Sequence, residues 1–418
     1  MDGKDILREY RQKFHFPQHN GKSVIYFTGN SLGLQPKTTK EWVNRELDAW
    51  AQFGVEGHFD APLPWFSYHE FLTEKTARLV GAKPNEVVVT HSLTTNLHLQ
   101  MVTFYRPTKT RYKILCEQKA FPSDMYALES QVRIHGLDPA DAIVEIAARN
   151  GEHLISDQDI ISTIEKHGDS VALVMIGGVN YYTGQLFNMP EIVKAGHKVG
   201  AIVGFDLAHA AGNVQLDLHK WNVDFAAWCS YKYLNSGPGG VAGMFIHEKH
   251  STNTNLPRFA GWWGHDKSER FKMGKGFRAI PTAEGWQLSN APVLGMAAHL
   301  ASLEIFDSAG MKNLTEKSQA LTAYLEEIIN DISSRKKDVC QLEIITPKET
   351  SRRGAQLSIL AHGMGKSLFD VLTKQGVVAD WREPNVIRIA PVPLYNSFED
   401  VYSFGQCLEK AIDHGANV

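Results

Sequence analysis

Cysteine is scarce in this chain: Cys116, Cys229, Cys340 and Cys407 are the four in 418 residues. They form no short pairing, so a disulfide-stapled scaffold is excluded and reduced thiols are expected. An excess of one charge sign is also missing. The 43 Lys+Arg and 46 Asp+Glu leave a formal charge of −3, which provides no electrostatic footprint for nucleic acid or an anionic membrane. Long apolar runs are absent too. The most apolar stretch, Val171 to Val179, is far shorter than the roughly 20 residues that span a bilayer. The N-terminal MDGKDILREYRQKF has a charged helical pattern with no apolar leader or cleavage site, so a cytoplasmic location is expected. There is no internal repeat, low-complexity tract or linker. What is present, 43% hydrophobic and 10% aromatic residues with balanced charge, excludes disorder as the main state and is enough for a large core.

The pattern along the chain predicts an α/β fold. Candidate strands are Glu86–Val89, Lys113–Glu117, Val171–Gly177, Ala201–Phe205, Asp224–Ser230 and Val241–His247. Most are continuous apolar runs, as in a sheet covered on both faces, and a helix at Met189–Val199 supplies one crossover. Before them, Thr38 and Glu41 read as a capping box for a helix carrying Trp42, Glu46, Trp50 and Phe53. Beyond about residue 290, amphipathic stretches (Pro292–Phe306, Leu314–Ile332, Val401–Ile412) alternate with short strands (Leu342–Ile345, Gln356–Ile359, Val386–Ile389). The expected organisation is a large α/β domain over 61–290. A smaller α+β domain is expected from 1–60 with 291–418.

Two strand ends carry the most informative chemistry. Asp206 closes one apolar run, and Lys232 follows another, each at the carboxyl edge where α/β sheets bind ligands. They are either a buried ion pair or the acid and amine that serve pyridoxal 5′-phosphate: the carboxylate on the pyridine nitrogen, the lysine as Schiff-base partner. Thr90–Asn96 opens a helix after a strand, as an ordinary cap or a phosphate cradle. Phe121, before Pro122-Ser123-Asp124, is either core or a platform for a flat ring. Arg388 is either an ion-pair residue or a fork for an α-carboxylate.

In this order the motifs resemble fold-type I pyridoxal-phosphate enzymes of the aminotransferase class V group, and within it the kynureninase family. The resemblance is carried by YFTGNSLGLQPK (Tyr26–Lys37), FPSDMYA (Phe121–Ala127), GFDLAHAAGN (Gly204–Asn213), WCSYKYLNSGPGG (Trp228–Gly240), GWWGH (Gly261–His265) and RFKM (Arg270–Met273). It implies a mostly parallel mixed sheet flanked by helices, and pyridoxal 5′-phosphate on Lys232. It further implies that Asp206 faces the pyridine nitrogen and that Phe121 stacks on the ring. Pro122, Ser123, Asp124 and His209 would line the pocket, while Leu93, Thr94 and Tyr231 would hold the phosphate. Trp262 and Asn290 would complete the site, Trp262 from a second subunit of an obligate homodimer. Ser31, His58 and Asn290 would surround the substrate's aromatic ring, and Arg388 would bind its carboxylate.

The implied reaction is hydrolytic cleavage of the Cβ–Cγ bond of kynurenine or 3-hydroxykynurenine, releasing an anthranilate and alanine in tryptophan catabolism. Tyr231, its acidity tuned by neighbouring Lys232, would transfer a proton near the β-carbon. One departure is visible: Gly177 stands where family members carry Ser or Thr, so a cofactor hydrogen bond is expected to be lost or taken by water.

Two rivals remain at this level. A cysteine desulfurase needs an exposed nucleophilic thiol, for which Cys340 is the candidate. A catalytically silent binding module would leave the lysine, acid, arginine and tyrosine without purpose. Gly237–Ala242 fits a dinucleotide pattern but precedes a strand instead of opening a helix. His247-Glu248-Lys249-His250 misses the zinc-helix spacing by one residue, and no metal is expected.

Overall fold

A computed structural model describes residues 1–415. Its central sheet comprises β1 (Val87–Val89), β2 (Lys113–Glu117), β3 (Ile143–Ile146), β4 (Val171–Gly177), β5 (Ile202–Asp206), β6 (Phe225–Trp228) and β7 (Gly243–Ile246). Their spatial order is β1–β7–β6–β5–β4–β2–β3. All pairs from β6 to β3 are parallel, and β7 is antiparallel to both its neighbours. The sheet is therefore mixed and mostly parallel.

Its strands read as unbroken apolar runs because successive side chains feed two separate cores. Val87 and Val89 enter one apolar cluster while Val88 enters another, and Ala226 and Ala227 divide in the same way. Helices α1 (Thr39–Phe53), α2 (Glu70–Val80), α3 (Leu93–Phe104), α4 (Pro122–Ile134), α5 (Asp157–His167), α6 (Met189–Lys198) and α7 (Val293–Ala309) surround it. Leu97, Met101 and Leu128, from α3 and α4, pack on one face; Ile192 and Leu300, from α6 and α7, pack on the other.

A second, antiparallel sheet has the order β8 (Gln341–Ile344), β9 (Leu357–His362), β11 (Val386–Ile389), β10 (Asp380–Arg382). It shares its own apolar cluster with α8 (Met311–Lys336) and α10 (Phe398–Gly415), through Leu325, Ile329, Phe404 and Leu408; α9 (Lys366–Lys374) lies between β9 and β10 in sequence. The start of the chain joins this part: Ile25–Tyr26 pairs in parallel with Val377–Val378. That pairing brings the turn containing Ser31 to the edge strand β10.

Three local expectations need correction. Thr38 precedes α1 but makes no side-chain cap bond, because its own φ and ψ (−74°, −14°) are already helical whereas a capping residue needs extended backbone. Glu86 is not in the first strand. It ends a turn (Pro84–Glu86), where its carboxylate is taken by the amides of Lys83 and Glu248. The run expected to extend to Ser230 stops at Trp228, and the chain turns there into the segment carrying Lys232.

Candidate active site

Parallel strands end at one edge of a sheet. Glu117, Gly177 and Asp206 are the last residues of the neighbours β2, β4 and β5, and Gly177 lies in register beside Asp206. The same edge receives the turn after β1, the segment Phe121–Asp124 after β2, and Tyr231–Lys232 after β6. One cavity is lined there by Leu93, Thr94, Phe121, Ser123, Asp124, Gly177, Asp206, His209, Tyr231 and Lys232, joined by Ser92, Glu117, Val179, Tyr181 and Ala208. Pro122 does not line it; it starts α4, where a missing N–H costs nothing.

Lys232 Nζ lies 2.9 Å from His209 Nε2 and 5.7 Å from the centre of the Phe121 ring. Burial, reinforced by the charge of Lys232, holds His209 well below the ordinary imidazole range, so the ring is neutral and Nε2 accepts from the ammonium. Nδ1 then carries the proton, a buried donor with no partner among the described residues. On the opposite wall Asp206 Oδ1 accepts the Ala208 amide at 2.7 Å, and Asp124 is hydrogen-bonded to Asp206. Burial and the adjacent charge push Asp124 well up; it is the acid of the pair, donating to an anionic Asp206.

Glu117 was not anticipated as a site residue. Both its oxygens accept the Gly177 amide, at 3.1 and 3.2 Å, and burial pushes it up to about 7. A β-carbon on Gly177 would sit 2.9 Å from Glu117 Oε1, so the carboxyl crowds the place of the side chain that this position lacks.

At the start of α3, Ser92 Oγ pairs with Thr95 Oγ1 at 2.9 Å instead of capping an amide. The first N–H groups of the helix are thus uncapped by this side chain beside the cavity, the arrangement that receives anions. Thr94 Oγ1 is 2.9 Å from Ser123 Oγ. Tyr231 lines the cavity. Its phenol is pushed up by burial first and then by the Cys229 thiol. It holds its proton firmly, as a donor.

Arg388 is buried on β11 behind this wall. Its Nη1 donates to Tyr181 O at 2.7 Å, and the Tyr181 ring meets Phe121 edge-on, 5.3 Å between centres. Ser31 Oγ accepts from Arg388 Nη2 at 3.2 Å. The guanidinium is not free, however, since Asp380 is its ion-pair partner. The remaining expected residues lie elsewhere in the protomer. His58 is half-buried, Nδ1 3.0 Å from Val55 O and edge-on to Trp65. Trp262 is 46% exposed and lines a different hollow with Arg270, Met273 and Phe277. Asn290 is exposed.

Tyr181 and Asp380 were missed by sequence reasoning. The first had a signal, a Tyr-Tyr pair soon after a strand end; the second, in an exposed-looking loop sequence, had none.

These residues fit pyridoxal phosphate. An anionic Asp206 backed by a neutral acid suits a protonated ring nitrogen, and the 40% exposed Phe121 offers a ring face. The open amides of α3 suit a phosphate, His209 Nδ1–H is a donor in want of an acceptor, and the Lys232 amine suits an aldehyde. Far from here, Glu86, His219 and His247 form a cluster of possible metal ligands. There the Glu86 oxygens take two amides and His219, and His247 Nδ1 takes the Lys249 amide, which is a satisfied buried carboxylate.

Residues 314–408 match the family model of the kynureninase C-terminal domain. A kynureninase from Flavobacterium psychrophilum is 60% identical over 412 residues, covering 99% of this chain and 96% of that one. One from Nematostella vectensis is 49% identical over 98% of this chain and 92% of its own. Among solved structures, a cysteine desulfurase from Thermococcus onnurineus superposes with a TM-score of 0.76 at 18% identity, covering 94% of this chain and 95% of the other. The Escherichia coli cysteine desulfurase CsdA gives 0.77 at 16%, covering 98% of each. The last two share the fold alone.

Proposed function

This chain belongs to the kynureninase family, and from that premise we propose that it hydrolyses the Cβ–Cγ bond of L-kynurenine and 3-hydroxy-L-kynurenine, using pyridoxal phosphate to release an anthranilate and L-alanine. The observation that carries this reading is the convergence of Lys232, Asp206 with its protonated neighbour Asp124, and Phe121 on one cavity, in a chain 60% identical to a kynureninase over nearly its whole length. The cofactor, when bound, supplies an electron sink for charge that develops at the substrate's α- and β-carbons.

The protein's residues do the rest. Asp206 holds the ring nitrogen charged. Lys232 would hold the cofactor through its aldehyde, and its amine would move the substrate's α-proton. Neutral His209 accepts a hydrogen bond from the lysine and so holds the amine over the Phe121 face. Tyr231, its phenol pushed up by burial, delivers a proton at the β-carbon. Leu93 and Thr94 hold the phosphate at the head of α3, and Arg388 takes the α-carboxylate.

His58, Trp262 and Asn290 complete the site from a second protomer. This is supported by their absence from the Lys232 cavity and by the exposed apolar surface beside them: Phe59 57%, Phe259 60%, Phe271 54% and Met273 80% exposed. Polar groups at Ser31, His58 and Asn290 suit a phenolic hydroxyl, hence the 3-hydroxylated substrate. Four free cysteines support a reducing cytoplasm, and no helix among the described residues is long and apolar enough to cross a membrane.

The desulfurase reading fails on its nucleophile. Cys340 is fully buried and its thiol is pushed up to about 11 by that burial, the opposite of what an attacking thiolate needs. The deciding experiment adds 3-hydroxykynurenine to purified protein loaded with pyridoxal phosphate. Stoichiometric 3-hydroxyanthranilate and alanine are expected; sulfide from cysteine without them would overturn the proposal.

A further inference from the structure

The register of β10 and β11 sets Asp380 directly opposite Arg388, so both side chains leave the same face of the sheet. Arg388 is buried, and its five N–H groups are unevenly used. Nη1 donates to Tyr181 O at 2.7 Å, Nη2 serves Ser31 Oγ and Asp380 Oδ2, and Nε has no partner among the described residues. Asp380 Oδ2 is a meeting point: it also accepts the Ser31 hydroxyl and, at 3.4 Å, Arg382 Nη2. A carboxylate oxygen of the protein thus occupies a position expected of a ligand's carboxylate, on a guanidinium nitrogen and flanked by a hydroxyl and a second cation. A guanidinium left empty in so buried a place would lack a counter-ion. Asp380 supplies one, through a single oxygen on Nη2, and leaves Nε open.

We propose that Asp380 is a resident carboxylate that keeps Arg388 paired in the resting site and competes with the substrate's α-carboxylate for it. Substrate binding is then an exchange of carboxylates at one guanidinium. Arg382, 39% exposed and already in contact, is the cation to which Asp380 moves when displaced. The exchange discriminates by charge. A ligand with the same aromatic ketone and amine but no carboxylate leaves the Arg388–Asp380 pair closed.

The inference rests on the reading that Arg388 binds the α-carboxylate, and the test separates the two. In the holoenzyme, Asp380→Asn keeps the shape and removes the competing charge. The Michaelis constant for L-kynurenine should fall about threefold or more, in KM rather than kcat, and propionate should inhibit and bind (by calorimetry) about tenfold more tightly. Arg382→Gln, which removes the alternative partner, should raise KM about threefold and weaken propionate, and it tests the exchange if the Asn variant does not fold. A tenfold rise of KM in Asp380→Asn, or no change in either constant in that variant, overturns the exchange, as does no change in Arg382→Gln where the Asn variant does not fold. Arg388→Ala is the control for the underlying reading: if KM and propionate binding stay as they were, that reading fails. If they are lost while Asp380→Asn changes nothing, only the exchange fails.

Discussion

Three carboxyl groups meet around one lysine, and they are not equivalent. Burial raises both Asp206 and Asp124, but the hydrogen bonds from Asp124 and the Ala208 amide and the Lys232 charge hold Asp206 the lower of the two, so it is the anion of the pair. Asp124 carries the proton, and burial pushes Glu117 up to about 7 against the opposing backbone amides. That last group has a measurable consequence. A carboxyl whose pKa moves from 4.5 to about 7 on folding binds a proton as the chain folds between those values. Its favourable contribution is complete below 4.5 and lost as pH rises through 7, a change of about 3 kcal/mol. Glu117→Gln should therefore gain thermal stability relative to the parent as pH goes from 5 to 8, in cofactor-free protein followed by calorimetry; a pH-independent difference would contradict the assignment. Lys232→Ala should lose about 10³-fold or more of kcat, measured as anthranilate released over many turnovers. His58→Phe should lower the preference for 3-hydroxykynurenine over kynurenine, read as a ratio of kcat/KM, by about tenfold. An unchanged ratio would remove His58 from the substrate pocket.

Helix ends show where local sequence signals hold and where packing overrides them. Thr38 and Glu41 have the spacing of a capping box, yet helical backbone at Thr38 leaves its hydroxyl unused. Ser156, by contrast, sits in extended backbone and its Oγ accepts the Asp159 amide at 3.3 Å, capping α5. In urea denaturation Ser156→Ala should cost about 1 kcal/mol and Thr38→Ala less than about 0.5. The head of α3 is the functional counterpart. Its Ser92 side chain is turned toward Thr95, which leaves amides open where a phosphate is expected. The element most easily missed was β3, whose half-buried residues Ile143 and Val144 carry a weaker signal than the fully buried β1 and β6.

At the scale of the whole molecule, the chain folds its first and last segments together: Ile25–Tyr26 pairs with Val377–Val378, and Thr28 bridges to Ala390. Ser31 and Arg388, 357 residues apart, become hydrogen-bonded as a result. Trp262 stands 46% exposed beside an aromatic surface, outside the Lys232 cavity. If Trp262 of the partner subunit acts at each Lys232, two inactive variants should complement. Mixing Trp262→Ala with Lys232→Ala under conditions of subunit exchange should recover about a quarter of parental activity, since half the dimers are mixed and each has one intact site. No recovery, with exchange verified by sedimentation of tagged chains, would place Trp262 in its own subunit's site.

Much of this was decided locally and so could be read from the chain alone. Apolar runs ending in Asp206 and shortly before Lys232, with a Ser/Thr-rich turn before a helix, specify strands, their ends and the chemistry gathered there, because strand periodicity and end position are short-range properties. The protonation states were not legible. Asp124, Glu117 and Tyr231 depend on burial and on neighbours brought from distant segments, and charge energies follow distance in space. Nor was Asp380 legible. Its partnership with Arg388 is created by the pairing of two short strands, a register that only the assembled sheet selects.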